Sequence, residues 1–423
     1  MLSGLHHGNL GMRGIWRIVE SYRGVVFEPN LMRMAMIRLR PKWAGRSSMW
    51  GGSLRWMANS APPDVEQIPD WVPLQPILSG ICGSDTAVIF GKSSAYLAPL
   101  TSFPAVLGHE ILARVVQSRP GRAEGTRVVV DPTLGCHARR EAVPCSACAS
   151  GFPYFCEKRQ DPKQGAGMLL GYHHRWPGGF ATKMWAPCEQ CWVVPDGMSD
   201  DRAVLTEPLA TVLAGMELVS SKTSMRVLVI GAGTIGLLAT WACHQLFSPT
   251  LLHVVSRYRY QSDWATVLGA DATSADPGFV QSSLEVLGQP AHPGQFGAPT
   301  YYPKGYDLVI DAVGTKSSIR QGLEQTKPGG QFLQLGGSGE IQTDLTPLWS
   351  RGIHWLGTYG YRGRSGMSTF PLALSWLKDA EVPIEGLVTH RYPLDQYAQA
   401  LETLRDRRVP TIKVVLTQPK RIG

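Results

Sequence analysis

Residues Arg226-Val-Leu-Val-Ile-Gly-Ala-Gly-Thr-Ile-Gly236 set a continuous apolar run directly against three glycines. The run reads as a buried strand, and the text from Thr234 to about Gln245 as the helix it feeds. In such a unit Gly231 permits the tight turn, Gly233 lets a pyrophosphate approach the backbone, and Gly236 packs helix against strand. The helix start, Thr234 and Ile235, offers backbone N–H donors to phosphate oxygens. A lone GxGxxG is often just a turn, but the strand before it and the helix after it favour a dinucleotide site.

Downstream, further strands read at Leu251–Val255, Tyr306–Asp311 and Gln331–Leu335, with helical text before each. Strand–helix alternation implies a doubly wound parallel sheet, the Rossmann arrangement of an α/β protein. Residues 285–305 form a Pro/Gly-rich insertion, expected to be an exposed loop. The end of the second strand discriminates between cofactors. An NAD site usually carries Asp or Glu there, whereas this chain reads Val254-Val-Ser-Arg-Tyr-Arg259. Ser256 and Arg257 could hold the 2′-phosphate of NADP, so NADP is favoured over NAD. The plainer alternative is a pair of solvated arginines.

Upstream, short β segments such as Val72–Leu78, Ile111–Val116 and Arg127–Val130 are punctuated by Gly and Pro. Two short motifs there, Gly80-Ile-Cys-Gly-Ser-Asp85 and Gly108-His-Glu110, carry Cys82 and His109. Both are good zinc ligands, and a catalytic site needs about three protein ligands and an open position. Glu207, in Thr206-Glu-Pro-Leu-Ala210, is a third candidate at a helix start, where it would otherwise serve as a cap. A separate cluster, Cys145-x2-Cys148-x7-Cys156, supplies three thiolates of a structural zinc lobe. Cys136 is the preferred fourth, with Cys188 and Cys191 as a rival pair.

The whole chain has 423 residues, 41 Lys+Arg, 33 Asp+Glu and a formal net charge of +8. Residues 1–60 hold nine basic residues and two acidic ones, so the remainder is nearly neutral. That distribution argues for a globular body with a basic extension rather than a nucleic-acid-binding protein. A hydrophobic content of 43% excludes wholesale disorder. No apolar run reaches the roughly 18 residues of a membrane helix, and no h-region marks a secretory signal. Eight cysteines are too few for a secreted disulfide scaffold, and their clustering favours metal. The expected location is cytoplasmic, without a membrane or nucleic-acid partner.

In this order the motifs resemble the zinc-dependent medium-chain alcohol dehydrogenases, over about Ile77 to Leu416. The match includes GICGSD, GHE, the cysteine lobe, Gly178-Gly-Phe-Ala181, EPLA, the glycine turn and Tyr306-Asp-Leu-Val-Ile-Asp-Ala-Val-Gly314. It continues through Lys327-Pro-Gly-Gly330 and Thr389-His-Arg-Tyr-Pro-Leu394. Glu207, where many alcohol dehydrogenases have Cys, is more like the polyol and threonine dehydrogenase branch.

The resemblance implies a basic extension (1–60), a mostly-β GroES-like catalytic domain (61–208), a Rossmann domain (209–355) and a C-terminal return to the catalytic domain (356–423). It implies one catalytic and one structural zinc, an alcohol or carbonyl substrate, and a homodimer or homotetramer. Cys82 and His109 would bind catalytic zinc, with Glu110 and Glu207 as ligands directly or through water. Asp85 would orient the metal site and Ser84 would pass the alcohol proton toward the cofactor ribose.

Three departures stand out. Ala87 and its neighbours offer no relay histidine, Ala142 stands where the lobe's usual spacing needs Cys, and the segment before Cys82 is roughly 40 residues longer than usual. The competing functions are a zinc-independent reductase of activated double bonds and a non-catalytic NADP-binding interaction protein.

Overall fold

The computed structural model describes residues 21–30, 54–60, 68, 70–161, 163–220, 224–275, 286–288, 292, 295 and 304–419. Most of the 285–305 insertion therefore lies outside the described residues, as do 1–20 and 31–53 of the basic extension.

The apolar run Arg226–Ile230 is a strand, with every residue after Arg226 buried. It lies inside a six-stranded parallel sheet. Across the sheet the strands run Ala272–Ser274, Leu251–Val255, Arg226–Ile230, Tyr306–Asp311, Thr326–Gln334 and His354–Gly357. Numbered along the chain, that is order 3-2-1-4-5-6, and the order reverses between Arg226–Ile230 and Tyr306–Asp311. Ligands bind such sheets beyond the strand C-termini at this switch point, where the glycine turn sits. The fifth strand begins earlier than its apolar text suggests. Thr326 pairs with Tyr306 before the Pro328-Gly329 interruption, and regular pairing resumes at Gln331.

The second domain is built on a mostly antiparallel sheet. Its order is Val388–Pro393, Lys413–Thr417, Trp71–Gly80, Glu110–Val115, Arg127–Val130 and Cys191–Val193. After the parallel sheet the chain thus returns, and Val415 pairs with Gly80.

The first sixty residues do not form a detached extension where they are described. Ser21–Phe27 pairs along its length with Leu54–Ser60, and Val26 and Phe27 pair with Val106 and Ala105. The amide of Val25 donates to Phe180 O at 2.9 Å. Tyr22, Val25, Val26, Phe27 and Leu54 are buried in the main core. Net charge could not reveal this, because the arginines of this stretch flank a Val-Val-Phe strand that is itself apolar.

Candidate active site

The three turn glycines meet three different constraints. Gly231 has φ +93, a region that favours glycine. At Gly236 an added Cβ would lie 1.7 Å from Gly231 O, so helix and turn touch there. Around Gly233 nothing lies within 4 Å of that position, which leaves space for a phosphate at the start of the helix Thr234–Phe247. Thr234 directs its hydroxyl away, to Ile412 O at 3.0 Å, so its contribution to an anion is its backbone. Ile235 packs against the core.

At the next strand end, Arg257 is exposed. Ser256 is turned inward instead. It is 5% exposed, and its hydroxyl donates to Tyr258 O at 3.1 Å and lies 2.8 Å from Ser262 Oγ. At this strand end the Ser256 hydroxyl is thus held by its own loop, while the Arg257 side chain is open to solvent.

The metal-ligand candidates converge because of strand register. Gly80 pairs with Glu110, so the two residues beyond Gly80 and the one before Glu110 leave the same sheet end. Donor atoms of Cys82, His109 and Glu110 all lie within 4.8 Å of one another. Cys82 precedes the helix Gly83–Ile89, and its amide donates to Asp85 Oδ2 at 3.0 Å.

Asp85, fully buried, also lies 3.4 Å through Oδ1 from His109 Nδ1, which has no hydrogen-bond partner. Burial works against a charged His109, but Asp85 and Cys82 together hold its pKa well above the usual value. His109 Nε2 lies 3.4 Å from Ser84 Oγ. A soft thiolate, an imidazole with an unpartnered buried nitrogen and a carboxylate form a donor set that suits zinc.

Two carboxylates approach this centre differently. Both oxygens of Glu110 accept from Lys413 Nζ, at 2.7 and 2.6 Å, with both side chains almost wholly buried. Glu207 lies outside the tight donor group. Its Oε1 accepts from Tyr361 Oη at 2.6 Å, and burial pushes its pKa up to about 7 against the opposing pull of His109.

The cysteine cluster settles between its two completions geometrically. Cys136, Cys145, Cys148 and Cys156 bring their sulfurs within 4.8 Å of one another, and Cys188 and Cys191 are elsewhere. Amides of Cys136, Cys145, Glu157 and Lys158 donate to the sulfurs of Cys148, Cys136, Cys145 and Cys156 at 3.3–3.4 Å. Such donors favour thiolates. Between Cys136 and Ala142 the chain turns through Arg140, which has φ 58.

Three site residues escape sequence reasoning. Tyr172 Oη lies 3.1 Å from both Ser84 Oγ and Asp85 Oδ1, and Tyr361 holds Glu207. Nothing in their local sequence marks either. Lys413 did carry a signal, since a lysine within Ile412-Lys-Val-Val-Leu416 needs a buried partner.

A dinucleotide turn on a parallel sheet, together with a thiol–imidazole–carboxylate group on a β-rich domain, defines a nucleotide-linked metallo-oxidoreductase. Residues 68–196 match the alcohol dehydrogenase GroES-like domain and residues 235–379 the zinc-binding dehydrogenase family. The chain belongs to the zinc-type medium-chain dehydrogenases, NAD(P)-dependent oxidoreductases of alcohols.

It is 26% identical to D-arabinitol dehydrogenase 1 of Uromyces fabae over 353 residues, 82% of this chain and 90% of the relative. An alcohol dehydrogenase of Escherichia coli CFT073, solved with NADH, superposes with TM-score 0.70 at 20% identity, covering 94% of this chain and 99% of the other. A putative zinc-binding dehydrogenase of Sinorhizobium meliloti 1021 bound to NADP gives TM-score 0.70 at 22% identity with the same coverage.

Proposed function

We propose that the chain oxidises polyols, or reduces the corresponding ketoses, with NADP at a site holding one catalytic zinc. The observation that carries this reading is the convergence of Cys82, His109 and Glu110 within 4.8 Å, with Ser84 against the imidazole. The polyol class is supported by the D-arabinitol dehydrogenase relative and by Glu207 in place of a cysteine.

When bound, zinc supplies a Lewis acid that favours the alkoxide at neutral pH, and the nicotinamide supplies the hydride acceptor. The chain's own residues do the rest. Cys82, His109 and Glu110 hold the metal, with Glu207 a nearby carboxylate able to join or leave. Asp85 fixes the imidazole, and Ser84 receives the alcohol proton. Gly231, Gly233, Gly236 and the amides after them hold the pyrophosphate, and Arg257 takes the 2′-phosphate. Cys136, Cys145, Cys148 and Cys156 hold a second, structural zinc. Retention of the catalytic donors weighs against the double-bond reductase and the non-catalytic alternative.

The edge strand His354–Gly357, beside the exposed Trp349 (73%) and Leu345 (46%), supports a homodimeric or tetrameric assembly. Among the described residues no helix is long and apolar enough to cross a membrane, and all eight cysteines are free. The grouping of Cys136, Cys145, Cys148 and Cys156 as metal donors supports a cytoplasmic location.

Metal analysis tests the reading. Purified protein should contain about two zinc ions per chain, one lost in Cys82→Ser and the other in Cys148→Ser. A single zinc, lost with Cys148 but not with Cys82, overturns the catalytic-zinc assignment. In a screen following NADPH formation, D-arabinitol and sorbitol should outpace ethanol; faster ethanol turnover would sink the polyol class.

A further inference from the structure

We propose that Tyr172 is a positioning residue for Ser84, its phenol bridging the serine to Asp85 and setting which way the serine hydroxyl faces during proton transfer. This rests on the reading of Ser84 as the proton acceptor.

The loop carrying Tyr172 is pressed onto the metal-site backbone. Gly171 has φ +88, and an added Cβ there would lie 2.8 Å from Gly108 O. Tyr172 follows, 3% exposed, with its ring tilted 40° against His109 at a centroid distance of 5.6 Å. Its hydroxyl stands 3.1 Å from Ser84 Oγ and 3.1 Å from Asp85 Oδ1. Among the described residues, His109 and Tyr172 are the side chains within hydrogen-bond distance of Ser84 Oγ.

A phenol has one proton to donate, and an ionised carboxylate can only accept. When Tyr172 donates to Asp85, its lone pairs face Ser84. The serine hydrogen then points at Tyr172 and the serine lone pairs at the His109 side, so that as the serine takes a proton from an alcohol its own hydrogen moves to Tyr172 and the phenol hydrogen to Asp85. When Tyr172 donates to Ser84 instead, the serine hydrogen is free to go to the reacting oxygen in carbonyl reduction, replaced by the phenol hydrogen, which is replaced in turn by the proton held on Asp85. One phenol rotation thus serves both directions. It acts where Ala87 offers no polar group after the serine.

The test is a double-mutant cycle with Tyr172→Phe and Ser84→Ala, using D-arabinitol and NADP+. Tyr172→Phe keeps the packed ring and should lower kcat about tenfold while KM moves less than about twofold. In the Ser84→Ala background it should have no further effect. An unchanged kcat in Tyr172→Phe, or the same fold loss in both backgrounds, overturns the proposal while leaving Ser84's role standing. Full activity of Ser84→Ala overturns both. A second readout needs no substrate. In enzyme labelled with 13Cζ-tyrosine, the resonance missing from Tyr172→Phe should shift in Ser84→Ala, and an unmoved resonance refutes the phenol–serine link.

Discussion

Replacing Lys413 by Met should be among the most destabilising single changes in the catalytic domain. The substitution keeps the length and the apolar stem but strips the charge from a group whose Nζ lies 2.6 Å from Glu110 Oε2 and 3.4 Å from Ile81 O. Side-chain exposures of 4% and 2% mean that water cannot take over as partner. At an effective dielectric of about 20, unit charges at this separation attract by roughly 6 kcal/mol, offset by the several kcal/mol that burying each ion costs. The net value of the pair is therefore small, whereas leaving Glu110 alone costs about 3–5 kcal/mol. Urea unfolding of protein stripped of its catalytic zinc, followed by tryptophan fluorescence, should show that loss in Lys413→Met. Lys413→Met/Glu110→Gln should recover at least about 2 kcal/mol of it, because the orphaned charge is gone. A single variant within about 1 kcal/mol of the parent, or a double variant no better than the single, would refute the reasoning.

Arg257→Ala should weaken NADPH binding by roughly 10–100-fold and NADH binding by less than about twofold in calorimetric titration; equal losses would remove Arg257 from the 2′-phosphate. Phe27→Ala should cost about 3–5 kcal/mol of unfolding free energy, whereas an extension independent of the core would lose nothing. His253, buried between Tyr306 Oη at 2.7 Å and Ser274 Oγ at 2.9 Å, has its pKa lowered to about 4 by burial. Unfolding returns it to the ordinary histidine value of 6.5, so the unfolded chain binds more protons between these values. The associated stability is present above pH 6.5 and falls by about 3 kcal/mol as pH drops through 4; His253→Gln should flatten that part of the stability profile, and an unchanged slope there would exclude His253 as its origin.

The parallel sheet was legible because its central strands are buried on both faces and its turn is chemically explicit. Arg226–Ile230, Leu251–Val255 and Tyr306–Asp311 have the bounds their apolar text suggests. The metal donors were legible as residue types in short motifs. Their partners were not, since Tyr172 meets Ser84 across 88 positions and Tyr361 meets Glu207 across 154. No local periodicity encodes such contacts. Ser256 shows a different limit. Its position at the strand end suits a ribose phosphate, and its hydroxyl is at the same time held by its own loop, a contact that no local pattern announces. The basic first sixty residues show a third, because net charge averages over a stretch that alternates between arginine and core strand.

The glycine that opens GICGSD is explained by none of the turn rules that govern Gly231. Its φ is not among the positive values, so conformational freedom is not what it supplies. An added Cβ at Gly80 would lie 1.9 Å from Glu110 Oε2 and 2.9 Å from its Cδ. Glycine is required there because the carboxylate, held by Lys413, fills the volume a side chain would take. The same Gly80–Glu110 register brings Cys82 to His109. Slipping that register by one residue would turn Glu110 to the other face of the sheet and part the donors. Gly80, Glu110 and Lys413 are thus one device, in which a buried ion pair across adjacent strands fixes the alignment on which the metal site depends.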